Sequence, residues 1–329
     1  MPQYCLYDGE ECRLDKALAD FLPDLGLRGR RRMIENKAVL VYGIARKPAF
    51  VVKAGALITL LDQQEETAKA EHSTTLPPAL ADSPRALERQ GKLAFFCKPA
   101  AMHSVPLAGK QGQSLEALLP SLAASLPPSD SASQELYLVQ RLDYGTSGIV
   151  AAASTALAAL DWRDMENRGL CAKRYLALVC GALPETITAT AALDVTNRRQ
   201  TKLLESPAPA LRHTQFVPLA QFAIHELAPL CALAYPSGTS PEAKTISLVG
   251  CCIHKGARHQ IRAHAAGLGF PLWGDALYGG GDGVFFLHHA ALHSALCHVL
   301  LAPVWLTLLP AAAANAAKHW LAQEPQETV

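Results

Sequence analysis

The sequence predicts an α+β protein. A small N-terminal module of short helices and strands precedes a larger domain built on a mixed, mostly antiparallel sheet. Three observations predict this. Strand-like apolar runs and helically spaced segments follow one another in no regular βαβ order, which argues against a doubly wound parallel sheet. Positive charge gathers near the N-terminus: residues 13–53 hold ten Lys/Arg against four Asp/Glu, and the remaining chain holds twenty against twenty-five, for a net charge of +1. A polar, Pro-containing stretch at residues 63–91 separates the two regions.

Leu14, Leu18, Phe21 and Leu22 fall at i, i+4, i+7 and i+8, the apolar stripe of an amphipathic helix. Pro23 and Gly26 break it. A second short helix is predicted over residues 30–36, with Met33 and Ile34 inward. Residues 39–43, 50–52 and 56–61 read as strands, with a turn at Gly55. Residues 63–91 read as a linker with a helical turn at 85–89, and residues 121–135 and 235–244 as loops. In the second domain, strands are predicted at 93–96, 137–139, 149–153, 175–179, 216–219, 246–252 and 304–309, and helices at 115–119, 156–167 and 260–267. The Ala-rich tail from Ala311 reads as a helix ending near Gln323. The resulting partition is 1–62, 63–91, 92–310 and a tail at 311–329.

A chain of 329 residues fits two domains. Residues 1–12 carry three acids and no Lys or Arg, unlike a signal peptide. The most apolar stretch, 299–314, is broken by Pro303 and Pro310 and is too short to span a bilayer. The expectation is a cytoplasmic protein without a membrane partner. Nine cysteines show no CxxC pattern and read as reduced core residues. His289 and His293 have the i, i+4 spacing of zinc ligands on a helix, but no HExxH motif or suitable third ligand accompanies them. Neither metal nor cofactor is predicted. The glycines around Gly279 open no helix, so they read as a flexible loop rather than a nucleotide site.

The chemistry concentrates at Gln140-Arg141-Leu142-Asp143-Tyr144-Gly145-Thr146-Ser147-Gly148. A carboxylate beside an arginine is placed at a turn that runs into an apolar strand. A single Asp-Tyr-Gly-Thr is more often an ordinary turn, yet a carboxylate held this way can serve as nucleophile or general base. Other strings follow in order: Lys98-Pro99-Ala100-Ala101-Met102-His103; Lys173-Arg174-Tyr175-Leu176-Ala177-Leu178-Val179-Cys180-Gly181; His259-Gln260-Ile261-Arg262-Ala263-His264; and LGFPLWGDALYG at 268–279. Together they resemble the motifs of the RluA-type RNA pseudouridine synthases over roughly residues 93–310.

That resemblance implies isomerisation of uridine to pseudouridine in RNA without a cofactor. Asp143 would be the catalytic carboxylate, either attacking the ribose or removing a proton to give a glycal. Arg262 would pair with Asp143 and keep it ionised against desolvation. Tyr175 would stack on the flipped uracil. Arg141 would fill the space the base leaves. Ile261 and Leu277 would wall the pocket, and Lys98 and Arg258 would contact RNA. Two departures stand out: Gln140 replaces a common His, and Ala257-Arg258 displaces an arginine by one residue.

The N-terminal segment resembles an S4 RNA-binding module, with RLDKAL at 13–18, a basic helix and short strands. Arg28, Arg30, Arg31 and Arg32 would face phosphates. Lys37 stands where that pattern has its first Gly, Tyr42 stands in place of Asn, and Gly55-Ala56 replaces Gly-Asp. An attached S4 module favours ribosomal RNA as partner, with transfer RNA as the alternative and a monomer as the expected state. Two rival readings are an S4-type RNA-binding protein without catalysis and a two-carboxylate glycosidase. The second needs a partner for Asp143, and Asp275 is the one candidate, though its GDxLY setting suits a turn.

Overall fold

A computed structural model describes residues 3–23, 25–35, 39–42, 44–60, 82–106, 113–127, 135–197, 199–234, 244–281 and 283–324. The chain divides into two compact units, Met1–Ser73 and Thr74–Val329. Within the first lie β1 (Gln3–Tyr7), β2 (Cys12–Arg13), α1 (Leu14–Ala17), α2 (Leu27–Glu35), β3 (Val39–Val41), β4 (Ile44–Ala45), β5 (Val51–Val52) and β6 (Ala56–Leu60). A four-stranded sheet of order β1-β6-β3-β4 packs with α1 and α2 around Leu14, Leu18, Ile34, Val39, Val41 and Ile58. The first helix is shorter than its apolar stripe predicts: it closes at Ala17, and Leu18 is buried from the turn that follows. The second begins three residues earlier than expected. Strand β1 precedes every element the sequence suggested.

Asp15 fixes this unit. Its carboxylate is 0% exposed and accepts from Arg13 Nε (3.1 Å), Arg13 Nη2 (2.8 Å) and Arg31 Nε (2.6 Å). The Arg13 bond holds its pKa at about 2; burial opposes this and Arg31 adds to it. Arg31, expected at RNA phosphates, therefore commits its Nε to tying α2 to α1. Arg28 and Arg32 are exposed on α2.

The second unit contains β7 (Arg85–Gln90), β8 (Leu93–Lys98), α3 (Leu115–Ala123), β9 (Tyr137–Leu138), β10 (Ser147–Ala153), α4 (Ala156–Asn167), β11 (Cys171–Cys180), β12 (Ile187–Ala189), β13 (Ala191–Asp194), β14 (Lys202–Pro207), β15 (Thr214–Ala223), α5 (Ala228–Ala234), β16 (Thr245–Ile253), α6 (Gln260–Gly267), β17 (Leu287–Ser294), β18 (Cys297–Leu300) and α7 (Ala311–Ala322). The ten-stranded sheet runs β12-β15-β16-β11-β17-β10-β8-β7, with β18 on β17 and β9 on β10. It is antiparallel except where β10 and β17 pair in parallel at Ser147–His288 and Gly148–His289. The α+β class and the mixed, mostly antiparallel sheet thus match the expectation.

Alternate residues of β11 face opposite layers. Leu176 and Leu178 join a core with Trp273, Phe286, Trp305 and Trp320; Tyr175, Ala177 and Val179 join another with Val249, Ile261 and Ala265 of α6. The site lies on the second side. Three expectations change. Residues 85–90, read as linker with a helical turn, form edge strand β7 through a bulge at Ala86/Glu88, because pairing with β8 overrides their helix propensity. Residues 304–308 are a 3₁₀ turn rather than a strand. The tail helix α7 is part of the core, since Ala313, Ala317, Trp320 and Leu321 are buried. The loop at 235–243 lies outside the described residues.

Gly148 holds the parallel joint. Its φ is +119°, and a Cβ there would meet the His289 carbonyl oxygen at 2.3 Å. Gly148→Ala is expected to lower the stability of the full chain by more than about 2 kcal/mol, read by urea unfolding.

Candidate active site

The site begins with a pinned turn. Thr146 N–H donates to the Asp143 carbonyl (3.1 Å), closing Asp143-Tyr144-Gly145-Thr146. Ser104 Oγ donates to the Leu142 carbonyl (2.9 Å) and accepts from the Leu142 N–H (3.0 Å). Gln140, where the related motif has His, donates to the Ile149 carbonyl at 3.4 Å.

Lys98 pins the turn from below. Expected at RNA, it is instead 0% exposed, and Nζ donates to the carbonyls of Pro99 (2.9 Å), Met102 (2.7 Å) and Tyr144 (3.3 Å). This corrects the sequence reading: the side chain at the end of β8 runs inward, where an ammonium must spend its three donors on protein acceptors. Burial draws its pKa down to about 7, and Asp143 works against that. Three carbonyl acceptors are met in full only by the charged form.

A cavity of about 670 Å³ opens over the turn. Asp143, Arg141, Tyr175, Arg258, Ile261 and Arg262 all line it, so the structure brings together most of the predicted site. Arg141 is exposed at its edge. Leu277 is not among the lining residues; it is exposed on a 3₁₀ turn, and its carbonyl accepts from Gln200. Arg258 Nη2 donates to the carbonyls of Val195 (2.8 Å) and Asn197, tethering the segment between β13 and β14.

Helix α6 delivers the charge. His259 caps it in the left-handed region (φ 53°), and its backbone N–H donates to Asp143. Arg262 follows within the first turn of α6. The expected Arg262–Asp143 pair is not the contact observed: the fork closes on Asp275, Nε to Oδ2 at 2.7 Å and Nη2 to Oδ1 at 2.8 Å. Its guanidinium lies over the rings of Phe285 (4.6 Å) and Tyr278 (5.1 Å). Asp275 also accepts from Leu277 N–H at 3.2 Å, the turn role its sequence suggests.

Arg262 therefore acts on Asp143 through space. Burial raises the Asp143 pKa, Arg262, Lys98 and the His259 N–H lower it, Asp275 raises it, and the net shift is upward. The His259 ring, which Arg262 and Arg258 also disfavour as a cation, is held by burial at about 3 and is neutral at pH 7.

Tyr175 is buried on β11, with its ring stacked on His289 at 4.6 Å and 20°. Burial, and then Asp143, raise its hydroxyl pKa. His289 and His293 stand on strand β17, not on a helix. His289 Nδ1 meets the Ile149 carbonyl at 2.6 Å, so it carries the proton. Three lining features escaped the sequence reading: the His103–Tyr144 ring pair (4.6 Å), Glu166, and Lys173. Lys173 was signalled by its place two residues before Tyr175, which puts both on one strand face. Nothing in the sequence pointed to Glu166.

A mixed sheet with one parallel joint brings the turn-borne Asp143 and the strand-borne Tyr175 to the lining of one cavity, as expected of a pseudouridine synthase. A family model described as RNA pseudouridylate synthase matches residues 92–267, and the chain belongs to that family, whose members are isomerases acting on RNA. It is 27% identical over 292 residues to the ribosomal large subunit pseudouridine synthase D of Nitrosomonas europaea, covering 86% of this chain and 75% of that one. The Escherichia coli protein of the same name is 26% identical, with 82% and 73% covered. An uncharacterized RNA pseudouridine synthase of Chloroflexus aurantiacus is 29% identical, with 86% and 80% covered. Human RNA pseudouridylate synthase domain containing 1 shares the fold at a TM-score of 0.53 and 19% identity, over 77% of this chain and 99% of that one.

Asp275→Ala would leave Arg262 buried without its partner. A loss of about 3–5 kcal/mol is expected in urea unfolding of the full chain, together with loss of activity.

Proposed function

We propose that this chain converts uridine to pseudouridine in ribosomal RNA with Asp143 as its catalytic carboxylate. The observation that carries this reading is the Asp143 turn, pinned by Ser104 and Lys98 and aimed into a cavity that Tyr175 and Arg262 also line. A uridine flipped into the cavity is received by Tyr175, at a cost of a few kcal/mol of unstacking. Arg141, exposed at the edge, takes the vacated place in the RNA. The N1–C1′ bond breaks, the uracil turns, C5 bonds to C1′, the C5 proton leaves and N1 gains one. Asp143 starts this either as nucleophile at the ribose or as base toward glycal formation, and both roles require it ionised. Arg262 and Lys98 favour that state. Ribosomal RNA is supported by the names of the Nitrosomonas and Escherichia relatives.

We read residues 1–62 as an S4-like module that adds affinity through exposed Arg28 and Arg32, with Arg30 beside them. The chain is taken to work as a cytoplasmic monomer.

Pseudouridine mapping of total RNA, with and without the gene, should show the loss of one or a few sites in ribosomal RNA. Asp143→Asn should not restore them, and restoration would remove Asp143 from its role. Because burial raises the Asp143 pKa and its ionised form is needed, activity should fall with decreasing pH through a value above the ordinary carboxylate near 4. Loss of sites in transfer RNA instead would move the substrate and keep the enzyme. For the module, replacing Arg28 and Arg32 by Gln should reduce the slope of log affinity against log salt by about 2, with affinity lowered for all RNA sequences alike. An unchanged slope would remove these arginines from the RNA interface.

A further inference from the structure

Heterolysis of the N1–C1′ bond leaves its electron pair on the detached uracil, which is then an anion. That anion must stay in the cavity and turn before C5 takes the ribose carbon. A cation with donors free to follow it would hold it. Among the described residues, five cationic side chains lie at or under the cavity. Lys98 spends three donors on carbonyls. Arg262 closes its fork on Asp275. Arg258 is engaged by Val195 and Asn197. Arg141 is exposed at the edge.

Lys173 differs. It lines the cavity on β11, 5% exposed, and its ammonium meets the Glu166 carboxylate, itself 16% exposed, from the last turn of α4. Glu166 takes one of three N–H donors. Lys173 also stands two residues from Tyr175, on the same strand face and about 7 Å along it. That is near the width of a pyrimidine, so a base resting on Tyr175 would bring one of its oxygens toward the Lys173 ammonium. Glu166, Lys173 and Tyr175 all line the same cavity, so the pair and the ring face one space. A desolvated pair of this kind is seldom required for stability, since well-packed apolar side chains often serve as well.

We propose that Lys173 is a base-holding residue: its ammonium donates to O2 or O4 of the uracil, bears the charge of the detached anion, and keeps contact while the ring turns. Glu166 is a positioning residue that aims Lys173 into the cavity. The charge balances: the pair that leaves C1′ with N1 is neutralised when C5 bonds to C1′, loses its proton, and N1 is protonated. This inference rests on the uridine-isomerising function proposed above.

The test is a cycle between side chain and base. The full-length protein, Lys173→Met, Lys173→Arg and Glu166→Gln are each given the RNA identified by the mapping experiment. That RNA is transcribed with uridine, 2-thiouridine or 4-thiouridine, and single-turnover rates and RNA binding are measured separately. Lys173→Met should slow the uridine reaction about 100-fold, with RNA binding changed less than 3-fold. Lys173→Arg should keep activity within about 10-fold, and Glu166→Gln should fall between. The wild type should lose about 10-fold with sulfur at the contacted oxygen, and Lys173→Met should lose nothing further with that substrate. Equal sulfur effects in both proteins at both positions overturn the proposal, as does a Lys173→Met rate near wild type. If Lys173→Met does not fold, the same cycle is run with the double variant Lys173→Met/Glu166→Leu, which removes the whole ion pair, and an unchanged sulfur effect there overturns the proposal. A wild type that makes no pseudouridine in any RNA would sink the functional reading itself, an outcome separate from additive sulfur effects.

Discussion

Four charges taken largely out of water organise this site: the carboxylates of Asp143 and Asp275 and the cations of Lys98 and Arg262. Each alone would be expelled or neutralised by burial. Together they balance in sign, and each is fixed by a different part of the chain. Lys98 ends β8, Asp143 stands before β10, Arg262 is in the first turn of α6, and Asp275 opens a 3₁₀ turn. The charge balance and the convergence of these four segments are therefore one requirement. Removing a charge would strand its opposites in a medium where they interact strongly.

The pairing is uneven, and the unevenness shapes the chemistry. The bidentate bonds of Arg262 go to Asp275, and the three donors of Lys98 go to carbonyls, so neither cation is hydrogen-bonded to the Asp143 carboxylate. Asp143 receives a backbone N–H from His259 and the long-range field of both cations. A carboxylate locked in a salt bridge would be a poor nucleophile or base. One with a cation close but committed elsewhere stays available, and burial leaves its pKa raised rather than depressed. The left-handed His259 stands at the N-terminus of α6, where its backbone favours the ionised carboxylate, and Arg262 lies within the first turn of the same helix.

Much of this was legible in the sequence because the residues come as strings. Asp143, Tyr175 and Arg262 each sit in a motif, and strand alternation or a helix turn then fixes where they face. The helices at 156–167 and 260–267 follow from their spacing, and both appear at those bounds. What failed was what depends on residues far apart. Asp275 was weighed as a second carboxylate, but its partner could not be known until the rest of α6 and the turns after it brought it, 13 positions on, onto Arg262. Lys98 reads as a surface cation until the end of β8 is placed beneath the 140s turn. Residues 85–90 favour helix locally and become strand only because β8 offers an edge. Leu277 lost its place at the pocket because one turn of 3₁₀ helix aims it outward.

The order of these constraints explains why the Asp143 carboxylate sits where the sheet changes sense. Gly148 crosses the His289 backbone too closely for any side chain, which lets β10 run parallel to β17 for two residue pairs. The turn before β10 is thereby held beside the start of β17, near Tyr175 on β11. His289 on β17 stacks on that tyrosine and hydrogen-bonds the Ile149 carbonyl of β10, so one side chain couples the ring to the strand behind the carboxylate. Its proton is on Nδ1, and burial keeps the ring uncharged at pH 7. The spacer between Tyr175 and the Asp143 turn is thus a neutral, rigid group that adds no charge to the four already balanced. A site built this way need not reorganise its dipoles when charge develops on a bound base, which is where preorganised electrostatics contribute most to rate.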